Sequence, residues 1–295
     1  MIDEPDNTRR KADACWAIKS PPLLHSLDNR FPASQWYTQL PLDDFDIVWP
    51  APPDWSRFRL GIQFERLWQA AIQEMPGYQL LASNLAVRNH QRTLGEFDLV
   101  IDHEGETQHW ELAVKFYLGT ADLTRPENWF GPSPEDRLDL KTNRLLNHQL
   151  LLAKSPEAKQ LLADRNITPV KQVHCLVKGR LFYPWQSFTG QTRVFPAYAN
   201  TSHLKGWWMS LPEFKHRFSK TSTRWVYLSK YLWLSTITDA NSLPVLNYLE
   251  TLERLEVSPT PQAVHLAMID DQGRETSRGF VVSEQWINQT NSQSG

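Results

Sequence analysis

The sequence predicts an α/β fold: a mixed sheet flanked by helices, followed by an aromatic-rich C-terminal α+β lobe. Three observations predict it. Residues 57–185 read in the order helix, three strands, helix, strand, the pattern of an α/β core. Two stretches within that core, Glu96–Asp102 and Gln108–Leu118, alternate apolar and polar residues around a short turn. Beyond Trp185 aromatic residues crowd together, among them Trp207, Trp208, Phe214, Phe218, Trp225, Tyr227, Tyr231 and Trp233. The division that follows is an N-terminal helix and wrapping segment at 1–56, the core at 57–185, a C-terminal lobe at 186–288 and a flexible tail at 289–295.

Element by element, a helix around Lys11–Lys19 is stopped by Pro21-Pro22. Residues 20–56, rich in Pro and Asp, are expected to wrap the surface. Gly61–Glu74 carries Phe64, Leu67, Trp68, Ala71 and Ile72 on one stripe and reads as a helix ended by Pro76-Gly77. Gln79–Val87 reads as a strand, then come the two alternating strands. A loop at Gly119–Pro132 follows, broken by Pro126, Gly131 and Pro132. Ser133 reads as an N-cap with Pro134 behind it, opening a helix to about Ala153. A short helix at Pro156–Asp164 precedes a buried-type strand, Val170–Val177, with Leu181–Trp185 as its extension or partner. In the lobe a Leu-rich helix at Pro244–Leu255 leads into a hairpin of Ala263–Ile269 and Arg278–Val282, and the polar tail from Asn288 is expected to fray.

Bulk properties bound the function. The chain has 295 residues, 41% of them hydrophobic, which is globular and not disordered. A net charge of −2 excludes a polycation, so any nucleic-acid contact must come from a local patch. Charge is uneven: Arg137–Arg180 holds nine Lys/Arg against three Asp/Glu, and Asp239–Glu284 holds three against eight. Cys15 and Cys175 are too few for a disulfide framework or zinc cluster, which fits a reducing compartment. The polar start does not read as a secretory signal, so none is expected, and no apolar run is long enough to cross a bilayer. The expectation is a soluble cytoplasmic protein with no membrane partner.

The chemistry concentrates in the two alternating strands. His109, Glu111, Ala113, Lys115 and Tyr117 form one face of the second strand, and Trp110, Leu112, Val114, Phe116 and Leu118 the core face. In the first strand Phe97, Leu99 and Ile101 are expected to face the core and Glu96, Asp98, Val100 and Asp102 the other side. A tight turn at Glu104-Gly105 sets a register with Asp98 opposite Glu111 and Glu96 opposite Ala113. Like charges facing across strands repel, and a bound cation relieves this. Carboxylates without a Cys or His set favour Mg2+ or Mn2+. Lys115 on the same face can position or deprotonate water, or neutralise charge on a phosphate. Glu65 in the first core helix could complete the ligand set, and His109 could touch the site. The plainer alternative is a Glu111–Lys115 ion pair, with Asp98 capping a turn or binding a nearby arginine.

These residues carry a resemblance. GEFDLVID and HWELAVKFYLG resemble the acidic second strand and the (D/E)-x-K third strand of the PD-(D/E)XK nuclease superfamily, which is restriction-endonuclease-like. More narrowly, ACWAIKSPPLL (Ala14–Leu24), GIQFERLW (Gly61–Trp68), Leu94–Asp98, Trp110–Gly119 and GPSPEDRLDLKTNRLLNHQ (Gly131–Gln149) resemble the uncharacterised bacterial domain-of-unknown-function 1853 family, from about residue 11 to about residue 286. The resemblance implies a helix–strand–strand–strand–helix–strand core and, by the superfamily, a metal-dependent nuclease. Asp98, Glu111 and Lys115 would be catalytic, with Asp98, Glu111 and the Val114 carbonyl as metal ligands. One departure stands out: the usual acid position is Ala113, and Glu111 lies two residues earlier. Glu111 and Lys115 have Cα atoms about 13 Å apart on a strand. Glu111 takes over the ligand role, or Glu96 fills the gap, or the site is degraded.

A nucleic-acid partner, DNA or RNA, has a candidate surface. Arg137, Lys141, Arg144 and His148 fall at i, i+4, i+7 and i+11 of the helix after the loop, with Leu138, Leu145 and Leu152 as its apolar stripe. Gln149 is expected to lean into the site. The basic edge could hold phosphates or be an ordinary solvated face. The aromatic–basic stretch Lys205–Trp233 could stack bases or form core. The expected function is a metal-dependent nuclease; the alternative is an inactive nuclease-like scaffold that binds nucleic acid or protein.

Overall fold

The computed structural model describes residues 4–25, 27–41, 59–190, 194–257 and 263–293. The fold is mixed α/β, with ten strands in a mixed sheet and nine α-helices among the described residues. In chain order these are α1 (Glu4–Lys19), α2 (Ser34–Thr38), α3 (Leu60–Glu74), β1 (Tyr78–Arg88), β2 (Thr93–His103), β3 (Glu106–Gly119), β4 (Trp129–Phe130), α4 (Leu138–Asn147) and α5 (Pro156–Ala163). Then follow β5 (Gln172–Pro184), α6 (Trp185–Thr189), β6 (Leu204–Ser210), α7 (Leu211–Phe218), β7 (Arg224–Tyr227), β8 (Val245–Leu246), α8 (Tyr248–Val257), β9 (Ala263–Ile269), β10 (Glu275–Val282) and α9 (Glu284–Gln293). No helix among the described residues is long and apolar enough to cross a membrane.

The chain forms two compact units. One gathers the described residues of Met1–Val114, Lys141–Gly179 and Tyr198–Ser202; the other gathers those of Lys115–Leu140, Arg180–Ala197 and His203–Gly295. In the first, β1, β2 and β3 pair antiparallel in sequence order. The α3 stripe is buried, and Trp68 meets Trp110 of β3 edge-on at 5.8 Å. Burial of such a ring stabilises by about 1.5–3 kcal/mol. Val87, Phe97 and Val100 close a second cluster with Leu152, Ala158 and Leu162. Phe97 and Val100 are three apart, so strict alternation cannot put both in one cluster. The alternation breaks at Asp98, which corrects the expectation that Phe97, Leu99 and Ile101 share a face.

Among the described residues, the proline-rich segment after α1 contributes to the core: Leu23, Leu24, Phe31, Tyr37 and Leu40 are buried, correcting the expected surface wrap. Its backbone finds partners, Leu23 N–H donating to Val177 O and Cys175 N–H to Arg30 O, both at 2.7 Å. Residues 42–56 of that expectation lie outside the described residues.

In the second unit the C-terminal residues of β5 pair parallel with β6, β6 pairs parallel with β10, and β10, β9, β7 and β8 continue antiparallel. The aromatics are its core: Trp207, Phe214, Phe218 and Trp225 pack with Val264, Leu266 and Val281. Gly279 sits beside Trp207 in the register, where a Cβ would come within 2.1 Å of the indole. Val245–Leu246 is strand, so α8 starts later than the proposed Pro244 helix. The tail is helical through Gln293 because Trp286 and Thr290 are buried; the Trp286 indole donates to Gly131 O at 3.1 Å.

The helix expected from Ser133 to Ala153 is also shorter. A turn, with Gly131 N–H bonded to Asp136 O and Asp136 N–H to Ser133 O, occupies its first residues, and α4 begins at Leu138. It ends at Asn147. His148 leaves helical conformation at φ −135°, ψ −67°, and a 3-10 stretch runs over Gln149–Lys154. Ser155 then caps α5, accepting from Ala158 N–H at 3.1 Å with Pro156 behind it.

Candidate active site

The β2–β3 ladder has the predicted register from His103↔Glu106 through Leu99↔Trp110 and stops there. At the next step the Asp98 carboxylate, not a ladder carbonyl, accepts the Leu112 N–H, at 2.8 Å. On the other side of β2, Ser83 and Leu85 of β1 pair with Leu99 and Phe97, and Asn84 between them is left-handed at φ 49°. Asparagine tolerates that conformation better than most residues. Its side-chain amide donates to Glu65 Oε2 at 2.8 Å and to Glu96 Oε1 at 3.4 Å, tying α3 to β2.

Glu111 is 1% exposed. Its Oε1 accepts from Gln149 Nε2, and Gln149 Oε1 in turn accepts from Lys141 Nζ at 2.9 Å. Its Oε2 has no hydrogen-bond partner and lies 3.6 Å from His109 Nε2, which is equally unpartnered. His109 is fully buried with its ring edge-on to Phe97 at 4.8 Å. Burial pulls its pKa down to about 4, so the contact with Glu111 is not an ion pair at neutral pH.

The acids are strained electrostatically. Burial, then the neighbouring Glu111 carboxylate, raises Asp98 to about 8; the Leu112 bond and His109 act against this. Burial raises Glu111 to about 7, opposed first by the Lys141 charge and then by hydrogen bonds from Asp98 and Gln149. Burial also raises Glu65, with the Glu96 charge adding to it. Burial therefore favours a retained proton on the Asp98–Glu111 pair, a tendency that the Lys141 charge opposes.

Asp98 opens onto a cleft of about 480 Å³, lined also by Glu96, Arg144, His148, Gln149 and Leu152. Arg144 and His148 are exposed there. Lys115 and Arg137 belong to the other unit. Lys115 Nζ pairs with Asp136 Oδ2 at 2.6 Å, and Arg137 forks onto Asp139 with two bonds of 2.8 Å. Arg137 precedes α4 and does not extend its basic face. Val114 is half-buried on β3. No cluster of three or more His, Cys, Asp or Glu side chains is placed to hold a metal among the described residues.

The sequence model of a family described only as a domain of unknown function, DUF1853, matches residues 12–282. The chain belongs to this family. No curated protein and no solved structure matches the DUF1853 chain.

Two parts of this DUF1853 site had no clear sequence signal. Asn84 is an asparagine inside a strand-like run, YQLLASNLAVR, and only its left-handed backbone makes it a bridge between two glutamates. Lys141 read as a phosphate contact on a helix face, whereas its ammonium reaches Gln149 and its charge acts on Glu111.

Proposed function

We propose that this DUF1853 protein is a metal-dependent nuclease of the PD-(D/E)XK kind, cleaving phosphodiester bonds of DNA or RNA with Mg2+ or Mn2+ between Asp98 and Glu111. The observation that carries this is the pair itself. Two acids from neighbouring strands are both raised by burial, Asp98 further by the Glu111 charge, and Glu111 Oε2 is buried without a hydrogen-bond donor. A divalent cation supplies counter-charge beyond that of Lys141. Magnesium sites commonly use only one or two carboxylates, the rest of the shell being water and substrate oxygens, so two acids suffice. The chain order α3, β1, β2, β3, α4, β5, with the short β4 and α5 interposed before α4 and β5 respectively, supports the same reading.

Bound there, the ion would polarise the phosphoryl group and acidify water. The chain's own groups do the rest. Gln149 and Lys141 orient the Glu111 carboxylate and favour its charged form. Leu112 N–H fixes the Asp98 carboxylate. Arg144 and His148 on the cleft wall suit phosphate contacts that hold the strand in place. Asn84 gathers Glu65 and Glu96, and Glu96 lines the same cleft as Asp98. Lys115 is engaged by Asp136, so the cationic role beside the acids passes to Lys141.

The test is cleavage of single- and double-stranded DNA and RNA with Mn2+ or Mg2+, alongside calorimetric titration of the metal. Asp98→Asn and Glu111→Gln are expected to abolish both cutting and metal binding while the protein stays folded. Failure of wild-type protein to bind either ion overturns the proposal and leaves a nuclease-like scaffold that binds without cutting.

A further inference from the structure

A second cavity in the first unit, about 510 Å³, opens at the turn end of the β2–β3 hairpin. Gln108 lines it, on the Trp110 face of β3, whereas His109 and Glu111 alternate onto the other face. The cavity is therefore separate from the acid pair. Two ring pairs frame it. Tyr78 stacks on His103 with centroids 3.9 Å apart, and Trp36 tilts over His174 at 5.3 Å. Buried Trp110 backs both, edge-on to Trp36 at 5.2 Å and to Tyr78 at 5.9 Å.

The polar lining has one sign. Glu104 and Glu106 line the cavity, and among the described residues no lysine or arginine does. Glu106 is held by Gln172, which donates to it at 3.1 Å. Glu104 sits at φ 53° and Gly105 at φ 79°, a two-residue turn with both residues left-handed. Such turns favour Asn, Asp or Gly, so a glutamate here places a carboxylate at some conformational cost. His174 also lines the cavity, and its Nδ1 is buried without a hydrogen-bond partner.

We propose that this cavity binds an organic cation, an alkylated ammonium group seated between the Trp36 and Tyr78 rings and balanced by Glu104 and Glu106. Ring faces carry negative charge density, and an ammonium over them is attracted as well as desolvated. The two carboxylates add to the same potential and repel phosphate, which sets this site apart from the cleft at Asp98. The proposal is independent of the hydrolytic reading.

Calorimetry with choline, and with dimethylbutanol as its uncharged isostere, tests it on the full chain. Choline is expected to bind, with the isostere about tenfold weaker or worse. Trp36→Ala is expected to weaken choline by about tenfold, with Trp36→Phe restoring most of the loss. A Glu104→Gln/Glu106→Gln variant, altered only at exposed positions and expected to fold normally, should lose a similar factor. Asp98→Asn should leave choline binding unchanged. Equal binding of choline and its isostere, no binding of choline at millimolar concentration, or tighter binding of adenosine than of choline would each overturn the proposal.

Discussion

The Asp98 carboxylate accepts the Leu112 backbone N–H at 2.8 Å, one step beyond the last ladder pair, Leu99↔Trp110. A side chain thus replaces a strand carbonyl where the acids meet. Asp98→Asn keeps an acceptor for Leu112 and removes a charge that burial disfavours. It is expected to raise stability at pH 8 or above, by on the order of 1 kcal/mol. Asp98→Ala leaves the Leu112 N–H unpaired and should cost about 1–3 kcal/mol. Urea denaturation of the three proteins separates the cases. If Asn and Ala variants lose stability equally, the carboxylate is not serving the Leu112 amide.

Stability and metal binding should both depend on pH, with opposite signs. Asp98 and Glu111 have folded pKa values above their ordinary ones, at about 8 and about 7. Their contribution to stability is fully present below their ordinary range and is lost as pH rises through those values. His109 is depressed to about 4 and contributes above its ordinary value, losing that as pH falls toward 4. The metal-free protein should therefore lose melting temperature from pH 6 to pH 9, and Glu111→Gln should flatten that limb. Mn2+ needs the charged carboxylates, so its affinity and its stabilising effect should grow over the same interval. A metal affinity that is flat from pH 6 to pH 9 would contradict the assignment of these two acids.

The two lysines make a sharp comparison. Lys141 Nζ bonds Gln149 and its charge counters the rise of Glu111, whereas Lys115 Nζ is paired with Asp136. Lys141→Met should suppress cleavage and push Glu111 further up, moving the pH dependence of metal binding alkaline. Lys115→Met removes a partly exposed ion pair worth about 0–1 kcal/mol and should leave cleavage within a few-fold of wild type. The reverse ranking in a cleavage assay would return the role to Lys115.

Much of the first unit was legible in the sequence because its elements are one-sided. The α3 stripe announced a helix, and the turn at Glu104-Gly105 gave the hairpin register that the ladder follows from His103↔Glu106 to Leu99↔Trp110. The register stops being readable at Asp98, where the alternation breaks against Asn84, since a left-handed asparagine leaves no periodic trace. In the second unit β6 and β7 are short and aromatic, with consecutive residues buried (Gly206 and Trp207, Trp225 and Val226), so neither shows the two-residue alternation of a half-buried strand. Thr290 was lost in the polar tail, and Trp286 lies just before it, because two buried residues in three turns are too sparse to register as a stripe.

Arg278 gives the second unit its most consequential single contact. Its guanidinium is buried and forks onto Glu275, with Nε–Oε1 at 2.5 Å and Nη2–Oε2 at 2.6 Å. The remaining donors meet Trp233 O at 2.7 Å and Ser235 O at 2.8 Å, and Glu275 Oε2 also accepts Ile237 N–H at 2.9 Å. The arginine therefore stitches β10 to the 233–237 segment through both charge and backbone. Arg278→Met strands the Glu275 charge and two carbonyls in the interior, at a cost of about 3–5 kcal/mol. Glu275→Gln keeps an acceptor for Ile237 but leaves the guanidinium unbalanced. The double variant removes both charges, so it should recover a large part of either single loss. A double-mutant cycle in urea measures the coupling, and strict additivity of the two changes would show that the charges do not act as a pair.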